Sequence, residues 1–385
     1  MMSRGSLAPV TIVGGSATGL FTAERLARAG RSVTVLEGAD RWDPERRTLI
    51  VTRRMHDLLG EVGSRSIVNE INRFELLTDG RVETVELDRP DLVIERSTLL
   101  RGLAEQAEAT GVDLRMGCRV RALTSAVDGA RLEVGCNGTT EELRATIVVA
   151  ADGTFSTVAR DAGWPPLSTV PLIQAIIRLP SDLPQDTARV WFRPDDTSYF
   201  YWLIPESSEK AAIGLIGEDR VKTRQCLERF LDREGFEPLE FQAALIPRYT
   251  QWIAPYRRLG VADIYLVGDA AAHVKVTTVG GIVTGFRGAL GVAETILQGS
   301  QSGLFRRLRL ELDWHRLLRQ SLGRFSQDDY GVLLDVLTPR VKKVLRADTR
   351  DEPGRVLFRL SLAQPRLLLL ALRTLVLSSV RPSTS

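Results

Sequence analysis

Cysteine and histidine are scarce, with three of each in 385 residues. Cys118, Cys136 and Cys226 form no CxxC pair, which argues against a disulfide framework or a structural zinc site. His56, His273 and His315 are too scattered for a histidine-based metal centre, so no metal is expected. A strong charge of one sign is also missing. The net charge of +3 is too small to indicate a nucleic-acid binder. Long apolar runs are absent: the longest, Leu367 to Val380, is interrupted by Arg373 and is too short to span a bilayer. The opening residues, MMSRGSLAP, lack the apolar core of a secretory signal, so a cytoplasmic location is expected.

What is present is an ordinary globular composition, 44% apolar and 26% charged. The length is enough for two lobes. Charge is unevenly spread, with a net +8 in residues 301–385 and a net −5 before them.

The first forty residues alternate strand, glycine turn, helix and strand. Val10–Val13 is a short apolar run, Leu20, Ala23 and Ala27 recur at helical spacing, and Ser32–Leu36 is a second strand closed by Glu37. This βαβ opening predicts a parallel sheet covered by helices. A helix is expected near residues 97–110, and short strands near Leu114, Val120, Leu132 and Ala145–Ala150. Residues 167–245 read as a β-rich lobe, Ile264–Val267 resumes the first pattern, and helix follows from residue 301. The expected division is 8–165 for a dinucleotide-binding domain, with 45–90 partly contributing to the other lobe. A β-rich substrate lobe at 166–250, a return to the first domain at 251–300 and a helical region at 301–385 follow.

Three motifs carry chemistry. Gly14-Gly15-Ser16-Ala17-Thr18-Gly19 is a GxGxxG turn with Ser16 at the middle glycine, where a strand hands over to a helix. Its glycines permit the tight turn and close packing, and the helix N-terminus offers N–H groups to a pyrophosphate. Glu37 follows Gly14 by 23 residues, the separation at which an acid accepts from ribose hydroxyls. The second motif, Val148–Gly153, ends a strand on Asp152, and the third, Leu266–Ala271, places Asp269 after a strand. Together they describe one dinucleotide site.

This combination resembles the FAD-dependent oxidoreductases of the aromatic-hydroxylase type. Glu95-Arg96-Ser97-Thr98-Leu99 resembles the segment whose arginine contacts the flavin in those proteins, which implies that role for Arg96. Within that superfamily, Gly268-Asp269-Ala270-Ala271 followed by Val274-Lys275 and Thr277-Thr278-Val279-Gly280-Gly281-Ile282 resembles the geranylgeranyl reductase family. Ile67–Ile71 and Phe200–Pro205 are further matches. The resemblance implies an α/β fold: a Rossmann-like FAD-binding domain, an antiparallel β-sheet substrate lobe and a C-terminal helical tail. It implies FAD contacts at Gly14, Ser16, Ala17, Gly19, Glu37, Arg96, Asp152, Asp269, Gly280, Gly281 and Ile282, and at Thr48, Leu49, Val51 and Val120. Tyr201 and Trp202 are expected to roof a substrate cleft.

The reaction so implied is reduction of C=C bonds in a prenyl chain of a lipid, quinone or terpenoid. No second glycine motif is present for a nicotinamide, so the external reductant is expected to be transiently bound NAD(P)H or a ferredoxin-like protein. A hydrophobic prenylated substrate and the basic tail together suggest peripheral contact with the inner face of the membrane. There, Pro365 opens a leucine-rich stretch with Arg366 and Arg373 seven apart. Two departures stand out. Thr48-Leu49 occupies the place of a Cys-Gly pair common in the family, and His273 replaces a glycine in a manner more typical of hydroxylases. Monooxygenation of a lipophilic metabolite therefore remains open, as does a flavoprotein cyclase without redox turnover. The catalytic residues stay unassigned.

Overall fold

The computed structural model describes residues 8–41, 46–348, 350–366 and 373. Strands Val10–Val13, Val33–Leu36 and Ile147–Ala150 form the centre of a six-stranded sheet. They pair in parallel, with Ile12 between Val35 and Val149. Ala262–Leu266 adds in parallel beyond them, and Tyr256–Leu259 closes that edge antiparallel. These strands are buried on both faces, which is why they read as continuous apolar runs rather than alternating ones. Helices Ala17–Arg28 and Ile282–Gln298 cover one face, meeting through Phe21 and Phe286 at 5.0 Å between ring centroids.

The second layer is an eight-stranded sheet. It contains 169–178, 187–191, 201–205, 210–216 and 238–247, together with 48–51, 67–78 and 81–95 from the first hundred residues. It is not wholly antiparallel as expected: Thr187–Trp191 runs parallel to Ile67–Thr78. That pairing joins two segments distant in sequence through an edge that no hairpin dictates. The helices Arg54–Arg65 and Arg220–Glu234 were also not anticipated. Both lie inside segments whose overall pattern is β-rich or mixed, which masked their shorter apolar periodicity.

A three-stranded meander, 118–145, flanks the six-stranded sheet. Here the cysteine expectation is corrected, because Cys118 and Cys136 form a disulfide. They are directly opposite on the adjacent strands Cys118–Ala126 and Gly129–Cys136, with Cα atoms 4.2 Å apart. Their spacing of 18 residues gives no hint of that register.

Beyond residue 301 the described chain is helical, as expected: Leu304–Leu322, Gln327–Asp335, Pro339–Ala347 and Pro353–Ala363. This region docks on the 67–95 hairpin by charge. Lys342 reaches Glu83 at 2.6 Å, Arg81 reaches Asp335 at 2.9 Å, and Arg346 pairs with Asp88 and Glu86. The leucine-rich stretch after Arg366 lies outside the described residues, except Arg373, which pairs with Asp329. No described helix is long and apolar enough to cross a membrane.

Candidate functional site

The chain leaves its first strand through a turn that requires glycine. Gly14 has φ 100°, and a Cβ there would stand 2.5 Å from the Ala151 carbonyl oxygen. A Cβ on Gly19 would lie 2.3 Å from the Gly14 carbonyl oxygen, so this glycine packs behind the site instead of lining it. Ser16 caps the helix Ala17–Arg28, its Oγ accepting from the Gly19 N–H at 3.2 Å. Glu37 braces the turn by accepting from Gly15 N–H at 2.7 Å and Ala39 N–H at 2.8 Å.

These residues open on a cavity of about 780 Å³, lined also by Ala17, Arg96, Val120, Asp152 and Asp269. Asp152 has one carboxylate oxygen buried with no hydrogen-bond partner among the described residues, while the other accepts from Val158 N–H at 3.3 Å. Burial pushes its carboxyl upward. Burial also raises Asp269, against the pull of the Arg96 and Arg47 cations. Two carboxyls recessed in a glycine-walled trough suit a ligand that brings hydroxyl donors and an anionic middle.

A second cavity, about 930 Å³, lies against the eight-stranded sheet. One wall is apolar and aromatic: Phe74, Phe192, Phe200, Trp202 and Ile204. Phe200 stands edge-on to Trp202, 6.3 Å between centroids. Ionic residues line it as well, Asp91, Lys275, Arg346 and Arg350, the last with its guanidinium 5.6 Å over the Phe74 ring. Leu49, Val279, Gly281 and Ile282 line both cavities and so form the boundary between them. At that boundary Val279 has φ 51°, a left-handed conformation rare for a β-branched residue and often found where function imposes strain. Helix Ile282–Gln298 begins there without a side-chain cap, leaving its first N–H groups for a ligand.

The structure thus gathers most of the expected residues. Thr48, Val51 and Gly280 line the second cavity, beside the shared Leu49, Gly281 and Ile282. Trp202 does too, but Tyr201 does not. Strand alternation turns Tyr201 to the other face, where its ring stacks on Phe230 at 4.2 Å and its hydroxyl donates to Asp196 and the Cys226 carbonyl. The substrate role expected of Tyr201 is withdrawn.

His273 also falls away from both cavities. It is fully buried against Trp252, both ring nitrogens lack partners among the described residues, and burial pushes its imidazole down to about 3. A Cβ at Gly288 would collide with it, so the histidine fills space that glycine provides. Sequence reasoning gives no role to Asp91 or Arg350, and names Lys275 only as part of the family-like segment after Asp269. Asp91 was legible only as one acid directly before the apolar run Leu92-Val93-Ile94.

The family model of the FAD binding domain matches residues 7–298. The chain belongs to this FAD-binding family. The cavity lined by the glycine turn, Glu37 and Asp269 has donor and acceptor groups that fit FAD. This FAD-binding protein is similar to curated reductases and is an FAD-dependent oxidoreductase. It is 27% identical over 259 residues to digeranylgeranylglycerophospholipid reductase 2 of Methanothermobacter thermautotrophicus, a match over 60% of this chain and 62% of that protein. It is 26% identical to geranylgeranyl diphosphate reductase of Synechocystis sp., over 85% of this chain and 84% of the relative. Among solved structures, a geranylgeranyl bacteriochlorophyll reductase-like protein from Thermoplasma acidophilum superposes with a TM-score of 0.78. That likeness covers 95% of this chain and 99% of the other at 18% identity, and shows a shared fold.

Proposed function

We propose that this FAD-dependent oxidoreductase reduces C=C bonds of a prenyl chain, carried by a lipid, quinone or terpenoid. The observation that carries the reading is the shared boundary: an aromatic-walled cavity of about 930 Å³ meets the cofactor cavity at Leu49, Val279, Gly281 and Ile282. An extended hydrocarbon laid along Phe74, Phe200 and Trp202 would present its double bonds to that boundary. The relatives named above support the class of reaction, and differ from one another in the head group their names specify.

FAD, when bound and reduced, supplies the hydride. The chain's own residues hold, orient and shield. Gly14, Ser16 and the N-terminus of helix Ala17–Arg28 would bind the pyrophosphate, and Glu37 the adenosine ribose. Arg96 and Asp269 would face the middle of the cofactor. The uncapped N–H groups after Gly281 would favour negative charge on the reduced ring. Phe200 and Trp202 exclude water from the reacting carbons.

The external reductant would be NAD(P)H bound transiently or a ferredoxin-like protein. The basic region past residue 301 would allow peripheral contact with anionic membrane, where such substrates partition.

The test is anaerobic. Dithionite-reduced protein is mixed with prenyl alcohols and prenylquinones. Reoxidation of the flavin without oxygen, with product heavier by two hydrogens per step, is expected. Flavin that stays reduced until air enters, then yields product heavier by one oxygen, would move the assignment to a monooxygenase.

A further inference from the structure

Two neighbouring residues of the C-terminal region hold the ionic side chains of the second cavity, Arg350 lining it and Asp351 behind it. Arg350 Nη2 donates to Asp91 Oδ2 at 2.5 Å, and Asp351 Oδ1 accepts from Lys275 Nζ at 2.7 Å. The Thr52 hydroxyl donates to the other Asp351 oxygen, and Arg54 stands 3.9 Å from it. Lys275 ties the cluster to the boundary with the cofactor cavity, while Asp91 lies three residues along its strand from Ile94, the partner of the boundary residue Leu49. Lys275 N–H donates to the Gly280 carbonyl at 3.1 Å, and Gly280 adjoins the boundary residue Gly281.

Asp91 lies on the same sheet face as Val93, which packs with Trp202, Ile204 and Val279. It is 8% exposed and, with Asp348, is one of two carboxyl side chains largely withdrawn from solvent among the described residues lining this cavity. Asp57 and Asp88 are exposed, Asp348 is held by Arg359, and Glu352 is held by Arg54.

We propose that Asp91 is the acid that delivers the proton in the reduction, an inference that rests on the prenyl-reductase reading above. One alkene carbon takes the proton from the Asp91 carboxyl and the other takes the hydride from the reduced cofactor. The π bond is consumed and two C–H bonds form. FAD, when bound and reduced, would supply the hydride with its electron pair, and Asp91 would be left as a carboxylate beside Arg350. Water from the cavity mouth reprotonates Asp91, and the external reductant restores the flavin.

The surroundings separate the two carboxyls. Burial raises Asp91, assisted by the Asp351 charge and opposed by Arg350 and Lys275. Asp351 is held at about 2, because Lys275, Thr52 and Arg54 outweigh its burial. Two nearby carboxyls with opposite shifts are the pattern that assigns one as acid and the other as fixed charge. Oδ2 of Asp91 is engaged by Arg350, and among the described residues no hydrogen bond holds Oδ1, which is the oxygen left to carry the proton.

The experiment compares wild type, Asp91→Asn and Asp91→Glu, each loaded with FAD, in the anaerobic single-turnover assay with prenyl alcohols and prenylquinones. Asp91→Asn is expected to retain FAD and to be reduced by dithionite as wild type is. Its product formation should fall by about 100-fold or more, the usual contribution of a general acid, with partial rescue in Asp91→Glu. Infrared difference spectra without substrate should show a protonated-carboxyl band in wild type that is lost in Asp91→Asn. The wild-type rate should decline as pH rises through the same titration.

Wild-type rates in Asp91→Asn, or a carboxyl ionised throughout the active pH range, overturn the inference while leaving prenyl reduction standing. If wild type reduces no prenyl acceptor at all, the functional reading fails and the inference fails with it.

Discussion

Lys275 and Asp351, 76 residues apart in the chain, form an ion pair at 2.7 Å with the carboxylate side chain wholly inaccessible to solvent. Lys275 is the nearest cation to the buried Asp351 carboxylate, which the Thr52 hydroxyl and Arg54 also support. Lys275→Met should therefore destabilise the protein by about 3–5 kcal/mol, the usual result of stranding one buried partner. Replacing both, as Lys275→Met with Asp351→Leu, should recover most of the loss. Urea unfolding midpoints of the three proteins check this; equal losses in the single and double variants would deny the pairing its role.

Acid should unfold the protein in a defined window. Burial pushes His273 and His315 down to about 3 from 6.5, the latter also under the Lys275 charge. The unfolded chain then binds protons first as pH falls. Stability is intact above about 6.5 and declines towards 3. Asp351, depressed from 3.8 to about 2, adds its own loss only below about 4. In His273→Phe the slope of stability against pH between 6.5 and 4 should be shallower than in wild type. An unchanged slope would show that His273 does not titrate on unfolding.

Reduction should soften the cofactor-binding half. The disulfide closes 18 residues, a separation worth about 3 kcal/mol through the unfolded chain. Thermal unfolding with and without a dithiol should differ accordingly, and Cys118→Ser with Cys136→Ser should abolish the difference. Because Cys118 also lines the cofactor cavity, FAD retention is the second quantity to follow.

Gly14→Ala places a Cβ against a carbonyl oxygen at 2.5 Å with φ at 100°. A cost of about 1–3 kcal/mol falls on the turn that holds the cofactor, or roughly ten- to a hundredfold in FAD affinity. Flavin absorbance per mole of purified protein is the measurement, and full occupancy in the variant would refute the assigned role of the turn.

The cofactor half was the legible half. Gly14, Ser16, Glu37 and Asp269 announce themselves because a tight turn and a hydroxyl-binding acid demand particular residue types at particular separations. The substrate half makes no such demand. Tyr201 and Trp202 are neighbours of similar character, and only the register of strand Tyr201–Pro205 decides that one meets the cavity and the other Phe230. Cys118 and Cys136 pair because of a strand register, and Lys275 meets Asp351 because of how the C-terminal region docks. Neither follows from local periodicity.

The family match ends at residue 298, yet Leu345, Arg346, Arg350 and Glu352 line the second cavity. On the proposed reading, what the enzyme accepts would be set partly by residues beyond the FAD-binding family match. Ancestral proteins could exchange one clientele for another by editing that stretch while the redox machinery was inherited unaltered. An engineer seeking a new acceptor can begin there for the same reason.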